Sequence, residues 1–160
     1  MIREAMRDEI PACADVIRRS FRTVADEFGF TRENAPRFTA FALTDERLLR
    51  EYDGGNRPTF VCERDGVLCG CYSLLLGEDG ACELNHLAVL PEFRRRGIGT
   101  RLFRHAAGTA RRYGCRVMTF GIVEENTVLR AWYEKNGAAH TGTKKFDFFP
   151  FTCGYMEIRL

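Results

Sequence analysis

Residues 87–103 read LAVLPEFRRRGIGTRLF: an apolar strand-like run, a proline, a basic turn carrying two glycines, and then the first apolar positions of a helix. This order suits the binding of an anion by backbone. The first N–H groups of a helix have no partner inside it, the helix dipole adds positive potential there, and glycine lets the main chain come close to a bulky phosphate. Gly97 and Gly99 stand where side chains would obstruct such a ligand, while Ile98 can turn into the core with its N–H facing out. Other phosphate motifs fit less well. A Walker A loop needs Gly-Lys-Ser/Thr, and Lys is missing here; a dinucleotide fingerprint needs a third glycine where this chain has Leu102.

Downstream of the loop, Ile98, Leu102, Ala106, Ala110 and Tyr113 share one helix face, and Gly114 ends the run. A strand at Val117 to Val123 follows, then a helix from about Thr127 to Asn136 that stops at Gly137. Two last strands, about Ala138 to Phe146 and Cys153 to Leu160, are joined through Phe148-Phe149-Pro150-Phe151. Upstream, Pro58 to Glu63, Val67 to Leu76 and Ala81 to Leu90 are strand-like and separated by hairpin signals, which predicts an antiparallel meander. The chain opens with a short strand at Ile2 to Ala5 and a helix capped by Asp8, with Pro11 in its first turn and Gly29 at its end. A second helix follows Thr44-Asp45-Glu46 and stops at Asp53-Gly54-Gly55. Strand, two helices, three strands, helix, strand, helix and two strands predict an α+β fold: a central, mostly antiparallel sheet flanked by about four helices. A chain of 160 residues has the length of a single domain, 1–160.

Composition narrows the function. With 45% apolar and 29% charged residues the chain has the balance of a folded globular protein, and no apolar run nears the roughly 20 residues of a membrane span. The net charge is only +2, yet eight of the arginines lie between Phe93 and Val123, where there is no Asp or Glu, so the remainder is net acidic. These arginines crowd one turn and one helix with few interleaved aromatics, which speaks against nucleic acid as a partner. The seven cysteines are odd in number and sit in apolar runs without a secretory signal, so a reduced cytoplasmic protein is expected. Cys69 and Cys71 lack both the C-x2-C spacing and the helically spaced His partners of zinc sites; small buried hydrophobes are expected, with no metal.

On these residues the chain resembles the GNAT superfamily of acyl-CoA-dependent N-acetyltransferases, with the signature covering Glu83 to about Gly137. The resemblance implies acetyl-CoA as acyl donor and an amine as acceptor, with no membrane and with a homodimer left open. It implies that Arg94, Arg95, Arg96, Gly97, Ile98, Gly99 and Thr100 form the pyrophosphate loop, with the amides of Arg95 to Thr100 making the contacts. Leu87, Ala88 and Val89 match the strand that pairs with the pantetheine arm, where a backbone N–H polarises the thioester carbonyl. Asn126 matches a residue that contacts that arm, and Tyr133 matches the tyrosine near the thioester sulfur. Trp132 and Ala138 depart from the usual pattern, and Gly121 stands where the ribosomal-protein alanine acetyltransferases carry a Glu.

Acyl transfer needs a neutral amine and gains from a proton donor at the leaving thiolate. The resemblance assigns the donor to Tyr133. For the base, strand alternation puts Glu83, Asn85 and Leu87 on one face, toward the thioester, and His86 on the other unless a bulge reverses the parity. Glu83 is the leading candidate; His86, or loss of the proton to bulk water, stays open. Glu124 and Glu125 read as solvated loop charges. The phenylalanines at 28–41 and 146–151 point weakly to a small or amino-acid-like amine. A non-catalytic acyl-CoA sensor, or an acetyltransferase acting on protein N-termini or lysines, is the alternative.

Overall fold

A computed structural model describes residues 1–160. Its elements are β1 (Ile2–Glu4), a 3-10 turn (Arg7–Glu9), α1 (Ile10–Phe28), α2 (Thr39–Ala42), α3 (Asp45–Asp53), β2 (Thr59–Arg64), β3 (Val67–Leu76) and β4 (Ala81–Val89). After a second 3-10 turn (Pro91–Phe93) come α4 (Ile98–Arg112), β5 (Val117–Val123), α5 (Thr127–Lys135), β6 (Ala139–Lys145) and β7 (Thr152–Arg159). The α+β order expected from the sequence is the observed one, with two local differences. α2 is a single turn, too short to show a helical period. Asp8 lies inside the 3-10 turn and caps nothing; Glu9 precedes α1 instead, its carboxylate accepting from the Met6 N–H at 2.8 Å and from both Arg3 Nη atoms at 2.9 and 2.7 Å.

The strands form one seven-stranded sheet in the order β1-β2-β3-β4-β5-β7-β6. Every neighbouring pair is antiparallel except β4 and β5. That parallel ladder is short: Ala81 to Glu83 pair with Val117 to Thr119, and nothing beyond. Past Glu83, β4 remains bonded to β3 as far as Val89, and β5 remains bonded to β7 as far as Val123. The two inner edges therefore diverge and open a wedge in the middle of the sheet.

α1 and α3 cover one face. Ile10, Ala14 and Ile17 pack with Val61, Cys71, Ala88 and Leu90, while Phe21, Val24 and Ala25 further along α1 join an aromatic cluster of Phe30, Phe38 and Phe151. α4 covers the other face through Ile98, Leu102, Phe103 and Ala106, each side chain of Ile or Leu size contributing roughly 1.5–3 kcal/mol when fully buried. Gly70 sets how close α4 lies, since a Cβ there would come within 2.8 Å of Leu102 Cδ1 and 2.9 Å of the Ala88 carbonyl. All seven cysteines are free thiols, six of them buried.

Candidate active site

The wedge widens into a groove of about 930 Å³. Its walls come from β4, the loop between β4 and α4, the splayed end of β5, one face of α5, the second half of α1, and β7 with its preceding loop. The loop enters α4 through two left-handed residues, Arg95 with φ 61° and Gly97 with φ 76°. Gly97 is the N-cap and no side chain caps the helix, so the first-turn amides of α4 keep their donors for the groove. Neither loop glycine is demanded by protein packing. Space around a Gly97 Cβ is empty, the left-handed φ being what favours glycine there, and a Gly99 Cβ would make ordinary contacts with Trp132 at 3.6 Å and Val89 at 3.9 Å.

The three loop arginines do different things. Arg94 turns to α1, donating to Thr23 Oγ1 at 2.9 Å, Ser20 Oγ at 3.0 Å, the Ser20 carbonyl at 3.1 Å and the Val89 carbonyl at 3.3 Å. It ties the loop to the helix beside it. Arg96 lies over the Phe93 ring at 5.4 Å and is not part of the groove wall, whereas Arg95 and the residues Gly97 to Thr100 are.

Opposite the loop, Asn126 caps α5 by accepting from the Leu129 N–H at 3.2 Å, and Tyr133 follows two helical turns later on the same face. Both line the groove. Tyr133 is buried among Phe103, Phe120 and Trp132, with ring centroids 5.4, 4.4 and 4.9 Å away. Burial alone pushes its phenol pKa up, so it is neutral at any ordinary pH.

β4 corrects one sequence expectation. The β3–β4 register steps from Cys71↔Ala88 to Ser73↔Asn85, so β4 carries one extra residue, and His86 takes φ 55° there. Alternation is broken at this bulge. Leu87 packs toward α4 instead of sharing the face of Glu83 and Asn85, and Ala88 packs toward α1. Glu83 and Asn85 stay on the helix-α1 side, Asn85 Nδ2 donating to Glu83 Oε1 at 2.8 Å and Asn85 Oδ1 accepting from Arg57 Nη1 at 2.6 Å. His86 sits among Glu51, Arg57 and Arg47, with its Nδ1 buried and without a partner; burial pushes its pKa down to about 4 and leaves a weakly basic, neutral imidazole.

Glu124 is not the solvated charge that sequence suggested, whereas Glu125 is exposed as expected. Glu124 lies between Arg130 Nη1 at 3.0 Å and His140 Nε2 at 2.8 Å, in space that only a glycine at 154 leaves open. The Glu125 carboxylate accepts from the Thr152 N–H at 2.8 and 3.0 Å, tying the β5–α5 loop to β7. Sequence reading also missed Arg57 and Tyr155, which lie far from the loop in the chain and carry no motif.

The family model described as "Acetyltransferase (GNAT) family" matches residues 20–138, which spans the wedge, the loop and α5. The chain belongs to the GNAT acetyltransferase family. Among curated GNAT relatives is an uncharacterized N-acetyltransferase of Mycobacterium tuberculosis, 25% identical over 114 residues that cover 71% of this chain and 73% of the relative. An amino-acid acetyltransferase of Ralstonia nicotianae is 32% identical over 96 residues, covering 59% of this chain and 20% of that larger protein. Among solved structures, the PaiA N-acetyltransferase of Thermoplasma acidophilum in complex with coenzyme A has a TM-score of 0.84 at 20% identity, covering 100% of this chain and 98% of its own. The Salmonella typhimurium protein yncA, with its cofactor acetyl-CoA, has a TM-score of 0.75 at 21% identity, covering 100% and 93%. At such identities these two likenesses carry the fold: the GNAT sheet with its flanking helices.

Proposed function

We propose that this GNAT chain, as one catalytic domain over residues 1–160, moves an acetyl group from acetyl-CoA to the primary amine of a small, largely apolar or amino-acid-like acceptor by direct attack in a ternary complex. The observation that carries this is the wedge, because one groove joins uncapped helix amides, two unpaired strand edges and a buried phenol. The residues fit the donor in order. Loop amides from Arg95 to Thr100 hold the pyrophosphate, the free edge of Leu87 to Val89 pairs with the pantetheine amides, and Asn126 contacts the arm from α5.

A backbone N–H on that edge polarises the thioester carbonyl, stabilising charge that develops only as the amine attacks. The amine nitrogen forms the new C–N bond, the C–S bond breaks, and Tyr133 donates its O–H to the departing sulfur. Glu83 takes the amine proton, directly or through water, and passes it to solvent, from which the phenol is restored. The products are an N-acetylated amine and free coenzyme A; for an amine that enters neutral the protons balance, because the one lost from nitrogen replaces the one that Tyr133 gives to sulfur. Beyond the thioester, Phe21, Val24, Phe38, Phe149 and Phe151 supply an apolar wall for the acceptor. This wall carries few carboxylates, which sets an apolar amine ahead of a polyamine.

An acceptor screen reading free thiol release tests the proposal. Apolar amines such as 2-phenylethylamine and amino acids such as L-phenylalanine should release thiol faster than spermidine or a lysine peptide. Thiol release with the peptide alone would move the reading to a protein acetyltransferase, and none with any amine would leave an acyl-CoA sensor.

A further inference from the structure

Glu83 is solvent-exposed, and a free glutamate there would sample several rotamers. Here it is held at the end of a chain of four side chains. Glu51 on α3 has a buried Oε2 with no hydrogen bond, 3.6 Å from Arg57 Nη1. Arg57, with its side chain only 15% exposed, donates from the same Nη1 to Asn85 Oδ1 at 2.6 Å, and Asn85 Nδ2 donates to Glu83 Oε1 at 2.8 Å. A lone asparagine amide can face either way. A guanidinium has only donors, so Arg57 holds Oδ1 toward itself and leaves the N–H of Asn85 for Glu83. Order therefore propagates from the half-buried carboxylate on α3, whose Oε1 accepts from Arg47 Nε at 3.3 Å, to the exposed one on β4. Glu83 is not itself in the groove wall, but it is close enough to the groove-lining Tyr155 for its charge to add to the effect of burial in raising that phenol's pKa.

We propose that Arg57 and Asn85 are positioning residues that hold the Glu83 carboxylate in the geometry for accepting the acceptor's proton. The inference rests on Glu83 being the base, and neither residue touches substrate. Regular alternation sets Asn85 beside Glu83, and the bulge that follows at His86 turns only Leu87 to the other face.

A double-mutant cycle with 2-phenylethylamine and L-phenylalanine as acceptor probes tests it. Glu83→Gln should lower kcat about 10- to 100-fold. Asn85→Ala should lower kcat about 5- to 10-fold with the KM for acetyl-CoA unchanged, and by less than about two-fold once Glu83 is already Gln, because residues acting as a unit are non-additive. Arg57→Met should follow Asn85→Ala, with Arg57→Lys recovering part of the loss. Asn85→Asp keeps the volume of the side chain and removes the donor, so it repeats the test should the alanine variant fold poorly. A purely structural Asn85 would slow both Glu83 backgrounds equally, and that result overturns the inference while leaving Glu83 as base. Wild-type turnover in Glu83→Gln, or no thiol release from either probe, overturns the base reading and this inference with it.

Discussion

At the scale of single residues, the site contrasts two groups that titrate under different constraints. Tyr133 is packed on three sides by aromatic rings and kept neutral by burial, the state in which the proposed donor would meet a leaving thiolate. Replacing it by Phe retains every ring contact and removes only the O–H. Tyr133→Phe is expected to lower kcat by about 10- to 100-fold with little change in melting temperature, measured by thiol release and thermal unfolding. Unchanged turnover would reduce Tyr133 to packing. His86 illustrates the opposite lesson: a residue chosen in sequence for its ordinary pKa loses that property when a bulge buries it beside Arg57 and Arg47. Glu124 does the same for charge, because neighbours that are distant in sequence, His140 and the bare backbone of Gly154, convert a loop carboxylate into a packed one.

At the scale of elements, most of the secondary structure was legible because its signals are local. β3 and β5 fall at the bounds that alternation gave them, and Gly29, Gly114 and Gly137 take the left-handed conformations expected where helices end. The entry to α1 departs from the Asp8 cap expected from sequence for a physical reason: Asp8 and Glu9 are adjacent acids, and the position of Arg3 on β1 engages Glu9. Arg3, and then the Met6 N–H, pull the Glu9 carboxyl from the usual range down to about 2. Since the folded pKa is depressed, the unfolded chain binds the proton more readily. The stabilisation is therefore present above the ordinary glutamate pKa of about 4.3 and is lost as pH falls toward 2. Glu9→Gln should melt a few degrees below wild type at pH 7, and thermal unfolding across the acid range should show that gap closing below about pH 4.5. A gap independent of pH would remove the ion pair as its cause.

At the scale of the whole molecule, the groove exists because two strands that begin as a parallel pair are each held more firmly by their outer neighbours. A ligand that bridges this wedge binds the folded chain and not the unfolded one, so acetyl-CoA should raise the melting temperature in a concentration-dependent way, by about 2.7 kcal/mol of added stability at 100 times Kd. Gly99→Val should cancel that shift, because branches beyond a Cβ already 3.6 Å from Trp132 fill the mouth of the loop. A full shift in this variant would place the ligand elsewhere.

The sequence by itself determined the element order and the loop that opens α4, because both follow from spacing along one continuous segment. It also carried enough of the GNAT pattern to point to the family. Only the tertiary structure decided which face of β4 each side chain takes, that Arg94 clamps α1, and that Arg57 reaches Asn85 across 28 positions of the chain. A bulge shifts parity through the register of a neighbouring strand, and a side-chain hydrogen bond between distant segments depends on which elements the sheet brings together. Neither quantity is written in local periodicity.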